Sequence, residues 1–308
     1  MNYLNSIQKI WKKLTILEKI FYILLILITI IILSKLLKKN VEGFEDPSNT
    51  EFITHKDNNI FDKFYVSIYD DLMLRTGKND FEIGEITQTQ LSRESKLLDI
   101  GSGTGHHVAS FSKAGVDATG VDISQDMVNK AKNNYPENNF IQGDVLNTML
   151  FTPETFTHIT CLYFTIYYIK DKELFLKNCI DWLKPGGYLI IHLVDRNNFD
   201  PIIPTANPFP IFSPQKYSEK RITTSEVKFD KFEYKCNFNL VGDVANMDET
   251  FKYKDKNKIR KNEHVLYMNT QKEILSIAKN VGFILHSKID MVKCHNENQY
   301  LYVLKKVN

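Results

Sequence analysis

The chain has 308 residues, of which 43% are hydrophobic and 25% are charged, so it can form one large globular domain or two small ones. Its first 40 residues carry seven lysines and one glutamate, so the net charge of +2 leaves the other 268 residues mildly acidic, at −4. This balance argues against a nucleic-acid-binding protein, which usually presents a basic face. The four cysteines are far apart and form no Cys-x-x-Cys pair, which argues against a disulfide framework or a metal site.

The most hydrophobic segment lies close to the N-terminus. Residues 20–34 carry no charge, and over about 17–37 the stretch reaches about 31 Å of helix if the flanking Lys19 and Lys35 extend towards lipid headgroups. A cleaved signal peptide is disfavoured because no small-residue cleavage site follows, and a buried core helix because lysines flank both ends. The sequence predicts a single-pass membrane anchor and linker over residues 1–50, of open orientation, before one domain over residues 51–308.

The segment from Lys56 to Thr89 carries apolar side chains at helical spacing, which predicts a helix packed on the domain. The side chains at this spacing are Ile60, Phe61, Phe64, Tyr65, Ile68, Tyr69 and Leu72.

The strongest motif is a glycine-rich turn after an apolar strand. Lys96–Ile100 predicts the strand, and Asp99 begins the spacing acid-x-Gly-x-Gly-x-Gly that ends at Gly105. Glycines allow a sharp turn and let a ligand approach the backbone closely. A nicotinamide-binding turn would need glycine where this chain has His106, so that alternative is disfavoured.

Alternating strands and helices follow the turn. Val116–Asp122 predicts a strand ending in an acid that can accept the ribose hydroxyls of a nucleoside, and Ser124 is suited to cap the next helix. Asn139–Asp144 predicts a short strand whose terminal acid can accept from an adenine amino group. The strands predicted next are His158–Leu162 and Tyr188–Val194, with the helix Asp171–Leu183 and a Leu-Lys-Pro-Gly-Gly turn between them. This alternation predicts a doubly wound, mostly parallel α/β sheet.

Together these motifs resemble the class I S-adenosylmethionine-dependent methyltransferases of the small-molecule type, over about residues 55–195. The resemblance implies S-adenosylmethionine as cofactor and a seven-stranded sheet of order 3-2-1-4-5-7-6. It also implies that residues 56–89 cap the cofactor, with Tyr65 or Tyr69 beside the sulfonium. The cofactor-binding residues that it implies are Tyr69, Asp99, Gly101, Ser102, Gly103, Thr104, Gly105, Asp122, Ile123, Asp144, Val145 and Leu162. Because the cofactor is made in the cytosol, the resemblance places the catalytic domain there.

The C-terminal part fits the same fold. A capping box at Thr270 predicts a helix, and Ile284–Met291 and Gln299–Lys305 predict the closing antiparallel pair. Residues 196–268 form an insertion with a proline-rich loop, a strand pattern over Tyr234–Leu240 and a hairpin pattern over residues 249–268. We predict an antiparallel lid that carries substrate specificity, although a structural extension or a dimer surface would have the same pattern.

Methyl transfer can depend largely on alignment, although an amine or hydroxyl acceptor can require a base. The candidate catalytic residues are His192, Asp195 and Tyr163, and Tyr167 and Tyr168 are candidates for the acceptor site. The leading hypothesis is methyl transfer to nitrogen or oxygen of a small-molecule or membrane-associated acceptor. The alternatives are a non-catalytic scaffold at a membrane and an RNA or protein methyltransferase.

Overall fold

The computed structural model describes residue 11, residues 14–37, 51–207 and 213–307, and for residues 30–37 only the backbone. The chain divides into two compact units, residues 1–49 and residues 50–308. The first unit contains helix α1 (Ile16–Leu37), whose described apolar side chains are exposed. Among the described residues, no helix is long and apolar enough to span a membrane. Most of the predicted linker lies outside the described residues.

The second unit is organised around a seven-stranded sheet, the central sheet, and the order of its strands is 3-2-1-4-5-7-6 in this sheet's own chain order. The strands are β2 (Lys96–Ile100), β3 (Asp117–Asp122), β4 (Asn139–Gln142), β5 (Phe156–Cys161), β6 (Leu183–Val194), β11 (Phe283–Asp290) and β12 (Gln299–Lys306). Strands β2 to β6 pair in parallel, whereas β12 pairs antiparallel with both β6 and β11. The predicted order is therefore confirmed, including the antiparallel end.

Helices connect these strands, and three of the five begin at side-chain caps. They are α4 (His106–Lys113), α5 (Gln125–Asn134), α6 (Thr165–Tyr168), α7 (Lys172–Trp182) and α8 (Gln271–Val281). The Ser124 hydroxyl accepts from the backbone N–H of Met127, which satisfies one unpaired donor of α5. Thr270 and Glu273 form the predicted capping box of α8.

One local prediction was wrong. The structure continues β6 through the Leu-Lys-Pro-Gly-Gly segment, with a register irregularity against β5, where a turn was expected. The helix predicted from the apolar spacing of Ile60 to Leu72 corresponds to α2 (Lys63–Met73), which follows a short 3₁₀ turn and precedes a second helix, α3 (Thr76–Thr87). The helices separate because Leu74 and Arg75 have extended backbone conformations, and Asp62 caps α2 by accepting from the Tyr65 N–H.

The insertion forms most of a second, five-stranded sheet. Its strands are β1 (Glu51–Lys56), β7 (Thr224–Lys228), β8 (Phe232–Val241), β9 (Val244–Tyr253) and β10 (Lys258–Tyr267), in the order β1-β10-β9-β8-β7. Strand β1 was not predicted, and it pairs in parallel with β10 whereas the other pairs are antiparallel. Helix α2 packs on this sheet through a buried cluster that includes Tyr65, Leu72, Tyr234 and Phe251. The second sheet is thereby held next to the segment that precedes the glycine-rich turn.

Candidate functional site

The glycine-rich turn and the end of β3 form one hydrogen-bonded unit. The φ angles of Gly101, Gly103 and Gly105 are 69°, 53° and 92°, values that residues other than glycine rarely adopt. The Gly103 N–H donates to Asp122 Oδ2 at 2.9 Å, and the Ser124 N–H donates to Asp122 Oδ1 at 2.9 Å. The turn therefore fixes the position of the Asp122 carboxyl group.

The Asp122 carboxyl group retains acceptor capacity for a ligand. A carboxylate offers about four lone-pair positions, of which these two backbone donors occupy two. Burial raises the pKa of Asp122 to about 6, against the opposing effect of the Ser124 and Gly103 N–H groups. Asp122 is therefore ionised at neutral pH and becomes protonated in mildly acidic solution.

A cavity of about 630 Å³ opens beside this unit, between the carboxyl ends of the central strands and the second sheet. Its size is within the range of small-molecule sites, and its position is where open α/β sheets bind ligands. The predicted residues that line it are Tyr69, Gly101, Gly103, Asp122, Ile123, Asp144, Val145, Tyr163 and Tyr168. A smaller cavity of about 80 Å³ shares part of this wall. Four other predicted residues line this smaller cavity, namely Asp99, Ser102, Thr104 and Leu162.

Tyr69 faces the glycine-rich turn, as the sequence predicted for a ring that covers the ligand. A Cβ built on Gly103 would lie 3.9 Å from Tyr69 Cε1. Gly105 lies behind the turn, where such a Cβ would come within 2.7 Å of the Phe140 ring. Gly103 thus faces the ligand side, whereas Gly105 permits close packing behind the turn.

Two further acids have defined hydrogen bonds. Asp99 is buried and accepts from the Thr160 hydroxyl at 2.7 Å, and burial raises its pKa. Asp144 is exposed towards the cavity and accepts from the Leu146 N–H at 2.9 Å. The adjacent Val145 carbonyl is held by the side-chain amide of Asn178 at 2.8 Å.

Three of the residues predicted for catalysis or acceptor binding do not line the cavity. His192 is 0% exposed, and its ring lies in the core beside Tyr163 and Phe164. Burial lowers the pKa of His192 to about 3, so the ring is neutral. Asp195 accepts from the Asn197 N–H and the Asn198 side chain, and Tyr167 is buried with its oxygen accepting from the Val194 N–H. The contacts of Asp195 and Tyr167 stabilise the loop and the sheet, and the structure places none of these three side chains at the cavity wall.

Tyr163 does lie at the cavity wall, and its backbone is strained. Its φ of 53° is rare for a residue with a side chain, and such conformations cluster at functional sites. Its hydroxyl donates to the sulfur of Met73 at 3.6 Å, and burial raises its pKa to about 12. Tyr163 therefore remains a neutral phenol that can contact a ligand.

The sequence interpretation missed a charged cluster on α3. Lys78 lines both cavities, donates to Glu82 at 2.5 Å and lies 5.0 Å above the Tyr163 ring. His107 contacts the other oxygen of Glu82 at 2.9 Å, and its proximity and that of Lys78 lower the Glu82 pKa to about 2 in spite of burial. Arg75 also lines the large cavity. The sequence placed Lys78 and Arg75 only within a segment that packs on the domain. Apolar residues at helical spacing do not indicate which charged side chains of the segment face a ligand.

A second missed group, which we call the Glu249 cluster, lies where β9 and β10 meet α2. Its members are Glu249, Tyr65, Tyr234, Asn262 and His264, all at most 2% exposed. Glu249 Oε1 accepts from the hydroxyls of Tyr65 at 2.9 Å and Tyr234 at 2.7 Å. Its Oε2 accepts from Asn262 Nδ2 at 2.8 Å and contacts His264 Nε2 at 2.8 Å. Burial would raise the pKa of Glu249, but His264 and the hydrogen-bond donors lower it overall, so Glu249 is ionised.

The Glu249 cluster reaches the cavity through Tyr168. The oxygen of Tyr168 lies 2.8 Å from His264 Nδ1, and both residues line the cavity. Phe61 has ring contacts of 5.8 Å to Tyr168 and 6.1 Å to His264 between centroids. The Phe61 carbonyl also accepts from the Ser124 hydroxyl at 2.7 Å, which connects this aromatic wall to the unit that holds Asp122.

The comparisons with known proteins agree with this geometry. Residues 98–191 match the family model described as a methyltransferase domain, which covers β2 to β6 and the glycine-rich turn. The chain is 28% identical over 122 residues to a ubiquinone biosynthesis O-methyltransferase of Coxiella burnetii, an alignment that covers 39% of this chain and 52% of that protein. It is 25% identical over 134 residues to the dTDP-3-amino-3,4,6-trideoxy-alpha-D-glucopyranose N,N-dimethyltransferase of Streptomyces venezuelae, covering 41% of this chain and 56% of that protein. The chain thus aligns with about half the length of these relatives.

Similarity to solved structures extends over more of the chain. An S-adenosylmethionine-dependent methyltransferase from Clostridium acetobutylicum superposes with a TM-score of 0.60 at 21% identity, covering 80% of this chain and 98% of that one. At this identity the likeness establishes the fold alone. The second unit therefore has the Rossmann-like methyltransferase fold, with a mixed seven-stranded sheet and an additional sheet.

Proposed function

We propose that the chain is an S-adenosylmethionine-dependent methyltransferase that acts on a small-molecule acceptor at oxygen or nitrogen. The observation that carries the proposal is the unit of Gly103, Asp122 and Ser124, which holds a carboxylate with free acceptor positions at the mouth of a cavity. The match of residues 98–191 to a methyltransferase domain supports it.

The chemistry of the cavity wall fits this cofactor. Asp122 can accept from ribose hydroxyls, and Asp144 with the backbone of Val145 can bond an adenine edge. The Tyr69 ring faces the turn and suits a sulfonium cation, while Lys78 and Arg75 suit a carboxylate. When bound, the cofactor supplies an electrophilic methyl group. The residues of this chain then align an acceptor and exclude water, which can provide much of the rate enhancement.

The acceptor is proposed to be small because the cavity is enclosed between two sheets of the same unit. Relatives named for O-methylation in ubiquinone biosynthesis and for N,N-dimethylation of an amino sugar support this size class. Attachment to a membrane through residues 17–37, with the catalytic domain in the cytosol, remains a sequence prediction. Extraction of the expressed full chain from membranes with alkaline carbonate tests it, since only an integral protein stays in the pellet.

Calorimetric titration of the full chain with S-adenosylhomocysteine, and separately with NAD, tests the cofactor assignment. We expect micromolar binding of S-adenosylhomocysteine and none of NAD, because the turn lacks the glycine of the nicotinamide motif at His106. A folded protein that binds only NAD, or neither compound, would contradict the proposal.

A further inference from the structure

The Glu249 cluster determines where the protons on His264 lie. Glu249 accepts four hydrogen bonds, from two tyrosine hydroxyls, one amide and one imidazole nitrogen. An ionised carboxylate has no proton to donate, so His264 Nε2 carries the proton of this contact and donates it to Glu249 Oε2. When the ring holds only that proton, Nδ1 is an acceptor, and the Tyr168 hydroxyl 2.8 Å away can donate to it.

These hydrogen bonds connect the buried Glu249 carboxylate, through His264, to the Tyr168 hydroxyl at the cavity. Glu249 is 1% exposed and orients His264, which orients the Tyr168 hydroxyl on the cavity side. A base oriented by a third group is a recurrent feature of sites that remove protons. A hydroxyl that donates to an imidazole has lone pairs left to accept a proton from a ligand.

We infer that Tyr168 and His264 form a proton relay that takes the proton from a hydroxyl group of the methyl acceptor. The proton of the acceptor hydroxyl passes to Tyr168 Oη while the Tyr168 proton passes to His264 Nδ1. Tyr168 ends neutral, and His264 becomes an imidazolium beside the Glu249 carboxylate. The acceptor oxygen keeps the electron pair of its O–H bond and uses it to bond the methyl carbon, while the bond between that carbon and the sulfonium sulfur breaks and its electron pair stays on sulfur as the neutral thioether of S-adenosylhomocysteine.

The relay narrows the acceptor class, and this inference rests on the proposed function. A neutral amine can attack a methyl group without first losing a proton, whereas a hydroxyl gains from a base. The cavity wall near the relay is formed by Phe164, Phe199, Phe238, Met247 and Leu266. These side chains fit the apolar body of a ligand, so the structure favours an aromatic hydroxyl over an amino sugar as the acceptor.

The state of His264 can be measured without any acceptor. In the full chain labelled with ¹⁵N at histidine, and assigned by comparison with His264→Gln, we expect the His264 proton on Nε2 and none on Nδ1. Tyr168→Phe should shift the Nδ1 resonance, because it removes the donor. Tyr253→Phe is the matched control and should leave this resonance unchanged, since Tyr253 lies on the same sheet but outside the Glu249 cluster and the cavity lining. An imidazolium at pH 7.5, or a proton on Nδ1, overturns the relay.

Activity gives the second test, with labelled S-adenosylmethionine and two probes, catechol and o-phenylenediamine. We expect transfer to catechol, reduced about 100-fold or more in kcat by Tyr168→Phe or His264→Gln, since general bases contribute about 10²- to 10⁴-fold. The loss should shrink as pH rises and catechol ionises by itself, which a structural defect would not produce. Tyr253→Phe should stay near the wild-type rate.

The controls separate this inference from the cofactor assignment. Calorimetry with S-adenosylhomocysteine is run on each variant, and its affinity should be unchanged in all of them. A wild-type protein that does not bind this compound contradicts the proposed function itself. A wild-type protein that binds it but methylates only the diamine, or neither probe, overturns the relay and its hydroxyl acceptor. Equal losses in Tyr168→Phe and Tyr253→Phe do the same.

Discussion

Replacing Asp122 by asparagine tests the cofactor site most directly. The substitution preserves the size of the side chain and removes its charge, but the amide nitrogen of asparagine then faces one of the two N–H donors of Gly103 and Ser124, so thermal unfolding is measured alongside binding. A hydrogen bond to a charged group contributes roughly 1.5–3 kcal/mol, so losing the ionised acceptor should raise the Kd about 10- to 100-fold. Calorimetric titration of the full chain with S-adenosylhomocysteine measures this directly.

The same carboxyl group predicts a pH dependence of binding. Because its pKa is raised to about 6, Asp122 is a carboxylate at pH 7.5 and becomes protonated as the pH falls through 6. Ribose hydroxyls need the ionised acceptor, so the affinity should be full above pH 7 and weaken roughly tenfold by pH 5. Asp122→Asn should remove this dependence.

A matched control lies at the other end of the same strand. Asp117 begins β3, and its side chain is 64% exposed, far from the glycine-rich turn along the strand. Asp117→Asn should leave both the affinity and its pH dependence unchanged. If Asp122→Asn binds as tightly as wild type, with its thermal unfolding unaltered, the assignment of Asp122 to the ribose hydroxyls is refuted.

Three stability predictions are measured by urea unfolding. Gly105→Ala should lower the free energy of unfolding by about 1–3 kcal/mol, since φ is 92° and a Cβ would lie 2.7 Å from an aromatic carbon. Gly242→Ala is the control, because Gly242 has a φ of 60° but an added Cβ would meet no atom within 4 Å; it should lower the free energy of unfolding by less than Gly105→Ala does. Glu82→Gln should cost about 3–5 kcal/mol, because it leaves Lys78 buried without a counter-charge. Thr270→Ala should cost about 1 kcal/mol by removing the cap of α8.

Each of these has a result that would contradict it. Equal costs at the two glycines would mean that backbone strain, and not crowding, limits the turn. A neutral Glu82→Gln would show that water reaches Lys78, and a neutral Thr270→Ala would show that packing alone defines the start of α8.

The sequence determined the features that depend on local chemistry. Three glycines in alternation adopt positive φ because only glycine does so without strain, and an acid ending the next strand lies beside them because parallel strands end at one edge. Capping residues located the starts of α5 and α8. The family resemblance supplied the order of the central sheet, which the structure confirms.

The tertiary structure decided which side chains face the ligand. A strand covered on both faces has apolar residues throughout, so the sequence of β6 could not show that His192 points into the core. The Glu249 cluster was invisible for another reason, since Tyr65 and Glu249 are 184 positions apart and meet only when α2 packs on the second sheet. Periodicity reports which faces are buried, and only the fold determines which buried polar groups meet.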